Sequence, residues 1–411
     1  MRTRLVAATL ATILAAGPAL AERLVIAGRD GNYATALELM VERYAEANPE
    51  VEIELLALPY AGLYEKLVID AREGTAAYDV AMLDDTWAPE FMAEGWLTVL
   101  DRLGGGLDDD FLAGPVAVSK WPVGTGTTFA APFVGTVALF AYRRDLFETH
   151  GLPTQPTSWT EVLGAASRID DAEREVAGVV FRGVKGNPIV TGFLPILWAH
   201  GGAVVDAAGK AAFDSAATRA AVELWLALKP HAPQGVVTYN SSEVRDALQQ
   251  GTAAMTIELW PSWAPSLDDP EVSTVPGLIE IMAAPGEVEG PSPMLGTWLL
   301  GVPAAAENAE HGRDFIDFVT AAENQKRLAL DVGIPPTRAS VYADADVVAQ
   351  YRWYPAQAEA LAQARPRPRI PEWSRVETIL GDYLQLALIG ELAAEDAITE
   401  AHVQIERALT R

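Results

Sequence analysis

The densest group of residues able to do chemistry in this 411-residue chain is Tyr78-Asp79-Val80-Ala81-Met82-Leu83-Asp84-Asp85-Thr86-Trp87, where an apolar run ends in two carboxylates and an indole. An uninterrupted apolar run bounded by polar residues reads as a parallel strand buried on both faces. Ligands of open α/β sheets bind beyond the carboxyl ends of such strands. The competing reading is that Asp85 or Thr86 only caps a helix starting near Trp87. Successive residues at a strand end project to opposite sides. One aspartate is therefore expected to bind and the other to cap. Paired carboxylates also suggest a glycosidase, but adjacent residues cannot readily flank one bond at the roughly 5 to 10 Å that mechanism requires. The five histidines form no H-E-x-x-H, no serine lies in G-x-S-x-G, and no Gly-Lys-Ser/Thr phosphate cradle occurs. No cofactor or metal site is expected, and an enzyme is the weaker reading.

The elements that must position this stretch alternate. Leu24–Ala27 is a short apolar strand, followed by a glycine turn containing Arg29, Asp30 and Asn32. Leu37, Met40, Val41 and Tyr44 then fall at helical spacing, and Val51–Leu56 alternates like a strand. Tyr60, Leu63, Leu67 and Val68 mark a second helix before the Val80–Leu83 strand. This β-α-β-α-β order is the signature of a parallel sheet with right-handed crossovers. Further on, Glu90–Leu100 reads as a helix, Val176–Phe181 and Ala253–Ile257 as strands, and Ile279–Ala283 and Met294–Val302 as strand-like. A helical region carrying Phe315, Phe318 and Val319 runs to Gly333, Pro335-Pro336 breaks it, and the tail from Pro371 is helical.

Composition narrows the class. Arg2 and Arg4 precede an apolar run ending in Gly17-Pro18-Ala19-Leu20-Ala21, a secretory signal with cleavage expected after Ala21. Removing it takes away two arginines and no acids, so the formal charge of −26 becomes −28, and nucleic acid is a poor partner. The acidic runs Asp108-Asp109-Asp110 and Asp268-Asp269 lack the alternating spacing of a calcium loop. The chain has no cysteine, so neither disulfides nor thiol catalysis enter. About 390 residues remain after the signal, more than one core usually organises, which points to two lobes.

Seven landmarks in order carry a resemblance: Tyr78 through Trp87, Pro132–Tyr142 with Arg144-Asp145-Leu146-Phe147, Pro156–Glu161, Trp198–Gly202, Gly251 through Trp260, Gly296-Thr297-Trp298, and Gly333–Arg338. Together they resemble the solute-binding proteins of bacterial ABC importers, in the carbohydrate-binding group that includes maltodextrin-binding protein. The resemblance implies an α/β, two-lobe periplasmic-binding-protein fold, each lobe a mainly parallel sheet flanked by helices, joined by a three-segment hinge. One lobe would hold residues 22–133 and 284–333, the other 134–283 and 334–411. It implies a periplasmic monomer that delivers a carbohydrate to inner-membrane permease subunits by cleft closure. A polyol, a glycerol-phosphate-like anion or a polyamine is the alternative cargo. Basic residues in the cleft would favour an anion, with Arg29 and Arg338 the candidates. The expected ligand-binding residues are Asp30, Asn32, Tyr60, Asp84, Asp85, Trp87, Trp260, Trp298 and Arg338, the last contacting ligand or only stapling the hinge; of the two adjacent aspartates, the resemblance places the acceptor at Asp85. Trp159 and Trp225 read as core, while Trp198, Trp263, Trp353 and Trp373 stay open between the two roles.

Overall fold

The computed structural model describes residues 22–122, 126–172 and 175–410, so the expected signal segment lies outside the described residues. Two sheets organise the chain. The first has the order β2-β1-β3-β10-β6, built from β1 (Glu22–Arg29), β2 (Val51–Leu58), β3 (Val80–Asp84), β6 (Ala130–Val134) and β10 (Trp298–Gly301). A short hairpin of β4 (Lys120–Trp121) and β5 (Thr127–Thr128) precedes β6. The second sheet has the order β8-β7-β9, from β7 (Leu139–Arg143), β8 (Met255–Leu259) and β9 (Ile279–Ala283). Every residue of β3, β6, β7, β8 and β10 is buried, as continuous apolar runs require when helices cover both faces.

The expected parallel arrangement holds for β1 with β2 and with β3. It does not hold for β10, which runs antiparallel to both β3 and β6. The named strands of the second sheet are likewise antiparallel, with parallel pairing only at the bridges Ala177↔Ala253 and Val180↔Thr256. The cause is connectivity. β7 and β10 each arrive directly from the other sheet, with no crossover helix to turn the chain round before it pairs. Two further expectations shorten. The 90–100 helix ends at Ala93, because Gly95 takes φ 69° and turns the chain toward a bridge at Leu97. The 176–181 strand is reduced to the two bridges named above.

The chain passes between the sheets at 135–138 and again between β9 and β10. The stretch 333–337 packs beside the first passage. Gly135 N–H donates to Pro335 O at 3.0 Å, and Thr337 Oγ1 donates to Pro132 O at 2.9 Å. A Cβ on Gly135 would lie 2.2 Å from Pro336 O, so only glycine permits this contact. Beyond it the tail is divided. Helices Ala339–Tyr342 and Ala345–Gln350 contact helix Ala322–Val332, whereas Tyr354–Gln363 contacts β9, and Trp373–Ile389 packs on Asn187–Ala199.

Candidate functional site

The rims of the two sheets face each other. In the first sheet the carboxyl ends of β1, β3 and β6 sit beside the start of β10, with Trp298 paired to Asp84 on one side and Val134 on the other. In the second, Leu259 at the end of β8 and Ala283 at the end of β9 both pair with Leu139. Between the rims lies a cavity of about 440 Å³. One wall carries Arg29, Asp30, Asn32, Tyr33, Tyr60, Asp84 and Trp298; the opposite wall carries Arg182, Asn187, Thr191, Asn240, Arg245, Trp260 and Trp263. Arg367 from the tail completes the lining.

Local sequence explains the first wall. The apolar β1 fixes Asp30 just past its end and β3 fixes Asp84 as its last residue, and Tyr60 opens the helix that follows β2. Tyr60 hydroxyl donates to Asp84 Oδ2 at 2.9 Å. Burial raises the Tyr60 phenol well above its ordinary value, so it remains a donor. Trp298 packs against Tyr33 with ring centroids 5.3 Å apart, and edge-on against Tyr60 at 6.0 Å and Trp87 at 5.7 Å. Such tilted and edge contacts are the favoured geometry for aromatic pairs. Trp87 itself does not line the cavity. It is buried behind Tyr60, at 4.7 Å, and stiffens that wall.

On the second wall Arg182 forms a buried ion pair with Glu258, Nε to Oε1 at 2.7 Å and Nη2 to Oε2 at 2.8 Å. Thr191 hydroxyl joins it at 3.1 Å from Glu258 Oε2. The Arg182 guanidinium lies 5.7 Å from the centre of the Trp260 indole. Trp260 in turn seats against Gly296, where a Cβ would lie 2.5 Å from the indole, so the Gly296-Thr297-Trp298 landmark is glycine-led because the two walls meet there.

Two more expected residues, Asp85 and Arg338, fall elsewhere. Asp85 is fully buried and absent from the lining; its Oδ1 accepts from Arg367 Nη2 at 2.8 Å. Asp84 Oδ1 accepts from the same nitrogen at 2.7 Å. Both aspartates thus serve one guanidinium, and Asp84 rather than Asp85 faces the cavity. Residue 85 has left the strand, which ends at Asp84, so alternation no longer applies. Neither caps a helix either. The helix Ala88–Ala93 has no side-chain cap, and the backbone N–H that donates to Asp84 Oδ1 is that of Thr86, at 3.2 Å, before the helix starts. Burial pushes the Asp85 carboxyl up to about 7 against the pull of Arg367. Arg338 lies outside the cavity as a staple. Its guanidinium donates to Thr320 O, pairs with Asp108 at 2.7 Å, and covers the Phe111 ring at 3.9 Å. Trp159, Trp225, Trp198, Trp353 and Trp373 are all buried and absent from the lining, whereas Trp263 lines it.

Sequence reasoning missed Arg182, Arg245 and Arg367. Arg367 sits in Arg365-Pro-Arg-Pro-Arg369, a run whose alternating proline and arginine signals an extended basic strap. Arg182 follows the apolar Val179-Val180-Phe181, a position past a strand-like run similar to that of Asp84.

Residues 29–326 match the description of the bacterial extracellular solute-binding proteins. The chain belongs to that family. As a solute-binding protein it resembles a probable ABC transporter-binding protein of Deinococcus radiodurans, 28% identical over 304 residues that cover 72% of this chain and 71% of that one. It also resembles the mannitol-binding protein of Pseudomonas aeruginosa, 26% identical over 419 residues, covering 95% and 94%. Among solved structures, a maltose-bound protein of T. maritima superposes with a TM-score of 0.86 at 27% identity, covering 94% of this chain and all of that one. A ribitol complex from Agrobacterium radiobacter also gives 0.86, at 26% identity and 94% and 98% coverage. This is a two-lobe solute-binding protein of an ABC importer and not an enzyme. No helix among the described residues is long and apolar enough to cross a membrane.

Proposed function

We propose that this solute-binding protein carries a neutral sugar or polyol in the cavity between its sheets. The observation that carries the proposal is charge compensation. Four arginines face the cavity, which alone would favour an anion. Each already has a carboxylate: Arg29 has Asp30, Arg182 has Glu258, Arg245 has Asp246, and Arg367 has Asp84 and Asp85. A solute anion would meet guanidiniums already paired, beside the carboxylates of Asp30 and Asp84. A polyamine would meet the four guanidiniums. A hydroxyl both accepts and donates, so it can take a spare N–H of an arginine and give its proton to a spare carboxylate lone pair. Trp260 and Trp298 offer flat faces to the C–H side of a ring or chain. The neutral solutes of the mannitol-binding and ribitol-bound relatives agree with this reading.

In the same reading the protein acts as a periplasmic monomer after cleavage beyond Ala21. Its lobes are 22–133 with 284–333 and 134–283 with 334–411, apart from the short helices at 339–350 that pack on the first, and they close on the solute before meeting inner-membrane permease subunits. A thermal-shift series tests the cargo. Ribitol, mannitol and maltose are set against gluconate, glycerol 3-phosphate and putrescine. At 100 times its dissociation constant a true ligand adds about 2.7 kcal/mol of stability. Stabilisation is expected from one or more of the neutral solutes and from none of the ions. Stabilisation by an ion alone would overturn the assignment.

A further inference from the structure

We propose that the tail residues Arg367 and Glu377 are positioning residues for solute binding, forming a strap that ties one wall of the cavity to the other. The proposal rests on the reading of that cavity as the solute site. The family match ends at residue 326, so the strap belongs to a part of the chain that the match does not reach.

The strap is continuous. On the first wall Arg367 Nη2 donates to Asp84 Oδ1 at 2.7 Å. Behind it Arg369 donates to Asp85 O and, at 2.7 Å, to Val118 O, which clips residues 367–369 to the first sheet. Arg367 Nη1 lies 3.6 Å from Glu377 Oε1. The same oxygen accepts from Asn187 Nδ2 at 3.1 Å, and Asn187 lines the second wall. Glu377 belongs to helix Trp373–Ile389, which packs on helix Asn187–Ala199 so closely that a Cβ on Gly381 would lie 2.7 Å from Gly186 N. The path from Asp84 to Asn187 therefore runs through Arg367 and Glu377, both less than a tenth exposed, and only Glu377 is absent from the cavity lining.

If the walls separate, either the clip at 367–369 or the ion pair between Arg367 and Glu377 must give. Separating a buried charge pair leaves each charge uncompensated away from water, so breaking it is costly. The strap therefore favours the arrangement in which Asp84 and Asn187 face one solute, which lowers the work that solute contacts must supply for closure. Glu377 touches no solute and acts only through Arg367 and Asn187.

The test compares wild type, Glu377→Gln and Arg367→Gln by small-angle scattering and by mannitol titration calorimetry. Glu377→Gln keeps the shape and the acceptor for Asn187 and loses only the charge. Without solute, both variants are expected to be more extended than wild type. Their mannitol affinity is expected to fall roughly 3- to 30-fold, and Arg367→Lys, which retains the charge, to recover part of the loss. Melting of the solute-free variants is compared in parallel, since a purely structural role would lower it and leave scattering and affinity as they were. Solute-free dimensions equal to wild type in both variants would overturn the strap whatever mannitol does. A wild type that binds none of the six solutes above would instead count against the cavity assignment, and the solute-free scattering would still decide the strap.

Discussion

Arg182→Met is expected to lower the free energy of unfolding by about 3 to 5 kcal/mol, one of the two largest effects foreseen for a single substitution. Glu258 is 0% exposed, and Arg182 supplies two of its hydrogen bonds. Removing the guanidinium leaves a carboxylate deep in the second wall with only the Thr191 hydroxyl. The loss comes from the uncompensated charge rather than from a missing attraction. The double change Arg182→Met with Glu258→Leu should therefore recover most of the stability. Denaturant unfolding of the two variants beside wild type measures this. A single variant within 1 kcal/mol of wild type would show that the pair is hydrated.

Asp84→Ala is expected to weaken binding of the neutral solute by about 1.5 to 3 kcal/mol, the range for a hydrogen bond to a charged group. That corresponds to roughly 10- to 150-fold in dissociation constant. The fold should survive, because Arg367 keeps Asp85 and the neighbouring Glu377. Asp85→Asn should change affinity far less, since Asp85 is buried behind Asp84 and does not face the cavity. Titration calorimetry on both variants decides the order. A greater loss in Asp85→Asn would restore Asp85 as the ligand contact.

The contrast between the two aspartates shows how far the sequence could be read. The apolar run from Val80 announced a buried strand and located the rim beyond it, as the β1 and β2 patterns did for Asp30 and Tyr60. These residues are legible because strand period and burial fix their place locally. Which aspartate faces the cavity was not legible, since the answer depends on the strand stopping at Asp84 and on an arginine 283 positions away. Arg182 and Arg367 were hidden for the same reason. Their roles come from partners brought by tertiary packing, which neither the apolar run before Arg182 nor the proline and arginine run around Arg367 names. Arg338 misled in the opposite direction. Its landmark lies beside the passage between the sheets at Gly135, but Asp108, Asp110 and Phe111 draw the side chain away from the cavity. The antiparallel strands β7 and β10 went unread because direction depends on which sheet the chain has just left.

The central claim is that one neutral solute lies between the two sheets and is held by both walls. Small-angle scattering with and without a saturating neutral solute, chosen from those that raise the melting temperature, tests it most directly. The account predicts a smaller radius of gyration in the liganded protein, because a closed state is favoured only by contacts the solute makes with both walls. An unchanged scattering curve at full occupancy would contradict it.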